Sequence, residues 1–183
     1  MTAEEPISPP ADDKDWTWTL DRPCPECGFD PSAVPGPAVA EAIRASVPAW
    51  QAVLGRADVR QRPAPDVWSP LEYAAHVRDV YVLFAERAAL MLTQDDPVFD
   101  NWDQDATALA ARYWEADPVV LSGQVAAAGV RLADLYAAVP EEHWHRAGRR
   151  SNGSTFTMAT LGTYCVHDVV HHLHDVGARD QLP

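Results

Sequence analysis

Apolar residues recur at steps of three and four along four stretches of the chain. Val39, Ile43, Val47, Trp50 and Leu54 form the first stripe, and Tyr73, Val77, Val80, Leu83, Phe84 and Met91 the second. Leu121, Val125, Ala128, Leu132, Leu135 and Val139 form the third, and Val166, Val169, Val170 and Leu173 the fourth. This spacing is that of amphipathic helices with one face turned to a core. Pro48 interrupts the first stripe and predicts a kink or a division there. The second helix has the sharpest boundary. Ser69 is a good N-cap, Pro70 falls at the first helical position, Glu72 completes a capping box, and Trp68 and Tyr73 are placed as a hydrophobic staple. It should run to about Thr93. Asp117-Pro118 opens the third helix and Pro140 ends it, while Thr157 caps the fourth, with Phe156 and Leu161 as its staple. A shorter helix is expected from about Asp105 to Glu115.

Period-two patterning is scarce. Trp16 and Trp18 alternate with threonines and predict a short extended piece, and Thr155-Phe156 is briefly extended after a turn at Asn152-Gly153. The reading is an all-α fold: a four-helix, up-and-down-type bundle over residues 37–183. Residues 1–36 are expected to be a flexible acidic tail, to about residue 15, followed by a Trp and Cys-x-x-Cys extension. Longer crossings between helices are also compatible with the connections.

Composition narrows the function. Of 183 residues, 47% are apolar, enough for a sizeable core, and no apolar run approaches the roughly 18 residues of a membrane span. The net charge of -13 opposes binding to nucleic acid or to anionic membranes, both of which select basic surfaces. The acidic start of the chain lacks the apolar segment of a secretory signal, so a cytoplasmic protein is expected. Three cysteines, Cys24, Cys27 and Cys165, are too few for a disulfide-stapled secreted fold. Cys24-Pro25-Glu26-Cys27-Gly28 resembles a zinc knuckle but lacks a second Cys-x-x-Cys. A structured turn with two reduced thiols, a metal knuckle completed by distant histidines, and a redox pair all stay open.

Four of the seven histidines lie in His167-Asp168-Val169-Val170-His171-His172-Leu173-His174. His167 and His171 are spaced i, i+4, so both leave one helix face, about 6 Å apart along the axis. His172 points away, and His174 lies on the same edge as a further candidate. A catalytic zinc-type site needs three protein ligands and an open position. His76 sits within the apolar arc of the second helix and is the natural third. Three neutral imidazoles at His76, His167 and His171 suit Zn²⁺, Ni²⁺ or Fe²⁺. Glu72, Asp79, Asp168 and Asp175 are placed to orient ligand imidazoles. Asp79 and Asp103 are candidate bases. Trp102, Arg149 and Arg150 are candidate contacts to a substrate or cofactor.

Trp68-Ser69-Pro70-Leu71-Glu72-Tyr73-Ala74-Ala75-His76-Val77-Arg78-Asp79-Val80, with His167-x-x-x-His171 some ninety residues on, resembles the DinB/YfiT-like superfamily across roughly residues 37–178. That superfamily includes mycothiol-dependent maleylpyruvate isomerases and bacillithiol or mycothiol S-transferases. The resemblance implies a four-helix bundle holding a divalent metal through residues that match His76, His167 and His171. It further implies an enzyme that activates a low-molecular-weight thiol such as mycothiol, for transfer to an electrophilic small molecule. A metal-dependent hydrolase acting through activated water and a non-enzymatic metal- or ligand-binding bundle are the alternatives. The expected partners are a small-molecule substrate and a low-molecular-weight thiol, with a homodimer allowed.

Overall fold

The computed structural model describes residues 6–10 and 14–181. Much of the tail expected over the first fifteen residues lies outside them. Five α-helices follow in order: α1 (Val39–Leu54), α2 (Pro70–Thr93), α3 (Gln104–Ala110), α4 (Pro118–Ala137) and α5 (Met158–Asp175). The four long ones correspond to the four apolar stripes. α1 runs unbroken through Pro48. The ring costs one intrahelical hydrogen bond, and burial of Ile43, Val47, Trp50 and Val53 holds the helix together around it.

The ends of α2 and α5 are set by side chains. Ser69 Oγ and the Glu72 carboxylate close a reciprocal capping box on α2, with Ser69 N–H donating to Glu72 Oε2 at 2.8 Å. Arg62 neutralises the same buried carboxylate. Trp68 meets Tyr73 edge-on at 5.5 Å, as a staple should. On α5, Thr157 and Thr160 form the equivalent box.

Packing places α1 against α4 and α5, and α2 against α4 and α5; α1–α2 and α4–α5 are the looser diagonals. The simple up-and-down order, in which consecutive helices are neighbours, therefore gives way to crossed connections. Residues 55–69 and 138–157 are long enough to span the bundle, whereas short loops would have forced consecutive helices side by side. Close approach within the bundle relies on small residues. A Cβ on Gly162 would lie 2.7 Å from the Tyr136 ring and 2.9 Å from Val39.

Three departures concern short elements. A small sheet is present, so the fold is not strictly all-α. β1 (Val98–Phe99) pairs in parallel with β2 (Ala147–Arg150), which forms a hairpin with β3 (Thr155–Thr157) across a turn where Gly153 takes φ +98°. α3 ends at Ala110 rather than Glu115. Arg112 turns left-handed at φ 50°, and a 3-10 turn over Tyr113–Glu115 buries Tyr113. Residues Trp16–Leu20 are a 3-10 helix rather than an extended piece, because the Asp15 carboxylate caps it by accepting from Thr17 N–H at 2.9 Å. Cys24, Cys27 and Phe29 join the same core as the bundle helices. Among the described residues no helix is long and apolar enough to cross a membrane.

Candidate metal centre

α5 carries two i, i+4 pairs offset by one residue, about 100° apart around the helix. His167 and His171 face the N-terminal extension. Asp168 and His172 face α2. Each pair meets a different set of ligand-type residues. His76, Asp168 and His172 form one cluster, and Cys24, Cys27, His167 and His171 form another; within each, one donor atom per residue lies within 4.8 Å of all the others. The expected trio of His76, His167 and His171 is thus distributed over two clusters. His174 belongs to neither.

In the first cluster Asp168 Oδ1 lies 3.3 Å from His76 Nε2 and 3.7 Å from His172 Nε2. Both separations are long for a charge-assisted hydrogen bond, about 2.7–2.9 Å. They are close to the roughly 3.3–3.4 Å edge between two ligands that each sit about 2.05 Å from one tetrahedral ion. Asp175 Oδ2 lies 2.8 Å from His172 Nδ1 and fixes the tautomer. A carboxylate only accepts, so Nδ1 carries a proton, and in the neutral ring Nε2 offers a lone pair. His76 is fully buried, its Nδ1 has no hydrogen-bond partner, and burial holds it below the usual histidine range. It is therefore a neutral imidazole. Burial by itself raises the pKa of Asp168, but the His76 hydrogen bond and the surrounding imidazoles outweigh it and hold the carboxyl at about 2. Two imidazoles and one ionised carboxylate fit a divalent transition metal or zinc.

Aromatic rings wall this cluster. Trp102 stacks on His76 at 5.2 Å, Trp68 lies 5.5 Å from it, and Tyr73 covers His172 at 4.9 Å. Beyond them opens a pocket of about 590 Å³ whose lining includes Trp16, Trp102, Arg87, Arg150, Asp168 and His172. Arg87 and Arg150 bring two guanidinium groups with no carboxylate paired to either among the described residues. Arg87 Nε, Arg150 Nε and Arg150 Nη2 are buried without a hydrogen-bond partner. Burial first, and then the charge of Arg150, lower Arg87 to about 10.

The other sequence candidates have structural engagements. Asp79 pairs with Arg78 at 2.8 Å and accepts from Tyr113 Oη, and it is absent from the pocket lining. Asp103 lines the pocket but caps α3, accepting from Ala106 N–H at 2.8 Å. Arg149 pairs with Asp96 at 2.9 Å and lies outside the lining, whereas Trp102 and Arg150 are part of it. Glu72 is committed to its capping box, and Asp168 contacts His76 at 3.3 Å and belongs to the cluster with it and His172. Asp168-x-x-x-His172 has the same spacing as the histidine pair beside it.

A crossed four-helix bundle with histidine-centred clusters of candidate metal ligands on its last helix defines the class. The chain belongs to the DinB superfamily, whose family model matches residues 40–176. Among solved structures it is similar to YfiT from Bacillus subtilis, described as a probable metal-dependent hydrolase with an unusual four-helix bundle topology. The two share 18% identity at a TM-score of 0.65, covering 84% of this chain and 89% of that one, a likeness that carries the fold. No curated protein matches the chain.

Proposed function

We propose that the protein is a divalent-metal-dependent enzyme in which His76, Asp168 and His172 hold the ion and the adjoining pocket binds a small anionic electrophile together with a low-molecular-weight thiol. The observation that carries the reading is the 3.3 and 3.7 Å spacing of His76 Nε2, Asp168 Oδ1 and His172 Nε2, a ligand spacing beside a pocket of about 590 Å³. A bound divalent ion supplies Lewis acidity, which lowers the pKa of a thiol or of a water.

The chain's own residues favour the thiol. Cys165 is fully buried, and Cys24 and Cys27 belong to the other cluster, so no protein thiol serves as nucleophile. Asp79 and Asp103, the candidate bases, are engaged with Arg78, Tyr113 and the α3 N-terminus. Without a dedicated protein base, a thiol, which starts at a pKa of about 8.5, is the easier external nucleophile than water. Arg87 and Arg150 offer buried donors to a carboxylate or phosphate on the electrophile. Trp102, stacked on His76, shields the ligand face from bulk water.

The reading is tested with metal-loaded protein, a mycothiol-type thiol and a panel of carboxylate-bearing electrophiles. Turnover should require the thiol and fall at least about 100-fold in His172→Ala, consistent with loss of a metal ligand. Turnover of equal rate without thiol would transfer the assignment to the hydrolase reading that the description of YfiT supports. A tightly bound metal with no turnover across the panel would leave a binding protein.

A further inference from the structure

The catalytic reading leaves the Cys-x-x-Cys of the extension and the His167/His171 pair unused. They meet each other. Cys24 Sγ lies 3.8 Å from His171 Nδ1, within a cluster whose four ligand atoms all fall within 4.8 Å of one another. Zn–S bonds near 2.3 Å and Zn–N bonds near 2.05 Å predict tetrahedral edges of about 3.6 Å between sulfur and nitrogen and about 3.8 Å between sulfurs. We infer that Cys24, Cys27, His167 and His171 form a second metal site, a closed Cys₂His₂ site of the zinc type, which pins the N-terminal extension to α5.

Burial points the same way. Cys24, Cys27, His167 and His171 are 1%, 5%, 3% and 8% exposed. His167 Nε2 is sealed from solvent with no hydrogen-bond partner, a cost that a ligand removes. The backbone around the cysteines has a knuckle form. Gly28 takes φ +70° and donates its N–H to Cys24 O at 2.9 Å, while Cys24 N–H donates to Phe29 O at 2.8 Å. The far nitrogen of His171 faces Glu26 at 3.6 Å and Asp175 at 3.8 Å, carboxylates placed to orient that imidazole. Both cysteines are free thiols rather than a disulfide. Binding one Zn²⁺ exchanges the two thiol protons for the ion; both protons leave to solvent, the imidazoles enter neutral, and no oxidant is needed. Soft thiolates select zinc-class ions over magnesium or calcium. Four protein ligands leave no open position, so the site is structural. Its effect on the pocket is indirect. It holds Trp16, whose ring lies 5.0 Å from His171 and 5.8 Å from His167, in the pocket wall.

Cobalt(II) is the probe. Full-length protein stripped with a chelator and titrated with Co²⁺ should take up two equivalents and develop the near-ultraviolet charge-transfer band of a cobalt thiolate. Cys24→Ser/Cys27→Ser should bind one equivalent without that band. His172→Ala should keep the band, whatever becomes of the catalytic reading. Wild-type protein that binds cobalt without a thiolate band overturns the proposal, and so does a cysteine double variant that still binds two equivalents. If the double variant does not fold, the wild-type spectrum decides alone.

Discussion

Asp175 does its work at 2.8 Å, where it accepts the Nδ1 proton of His172 and leaves Nε2 facing Asp168 and His76. Replacing it with asparagine keeps the size but allows the amide to present a donor to Nδ1 and favour the wrong tautomer. Asp175→Asn should weaken metal binding at the His76 cluster by about 10–100-fold, read by competition with a chromophoric chelator. Residue spacing alone could not separate the two pairs on α5. His167-x-x-x-His171 and Asp168-x-x-x-His172 have the same period, and two imidazoles outweigh an imidazole and a carboxylate when only ligand preference is considered. What sorts them is the element opposite each row. His76 on α2 faces Asp168 and His172, while the Cys24–Cys27 turn faces the other pair. That choice is made by tertiary packing of segments more than 90 residues apart in sequence.

At the scale of elements, α2 depends on its first turn. Ser69 is 2% exposed and both its N–H and its hydroxyl donate to the Glu72 carboxylate, at 2.8 and 2.7 Å. Ser69→Ala should cost about 1–2 kcal/mol, and thermal unfolding should show a midpoint lower by roughly 2–8 °C for a chain of this size. This helix was legible because cap, proline, box and staple all agree within six residues. The short elements were not. β1, β2 and β3 hold two, four and three residues, too few for a period to register. Trp16 and Trp18 alternate with threonine as a strand would, yet the Asp15 cap winds them into a 3-10 turn with the two rings stacked at 6.0 Å. The acidic stretch around residues 104–115 reads as one helix until Arg112 turns left-handed and Tyr113 is drawn in to bond Asp79.

For the whole molecule, helix number and core were carried by the stripes, but the order of packing was not. Periodicity tells a helix which face to bury and is silent about which partner it meets. The long connections at residues 55–69 and 138–157 permit the diagonal crossings that put α5 beside both α1 and α2. This placement lets one helix serve two clusters. If the cysteine cluster holds an ion as inferred, removing it should free the extension before the bundle. Chymotrypsin should then cut at Trp16 and Trp18 several-fold faster in chelator than in excess zinc, with the α1–α5 fragment persisting, as followed by mass spectrometry. Equal rates in both conditions would place the restraint in packing alone.

Asp175 also reaches the other way: its Oδ1 lies 3.8 Å from His171 Nε2 while its Oδ2 holds His172. One carboxylate therefore belongs to the surroundings of both clusters, and adjacent residues of one rigid helix supply ligands to each. An ion that fixes α5 and Asp175 from one side has already met part of the ordering cost of the other. Thermodynamic reciprocity then requires that whatever factor filling the cysteine cluster applies to affinity at the histidine–aspartate cluster be returned in equal measure. Metal supply would set the activity of such a protein cooperatively, through the extension as well as through the pocket.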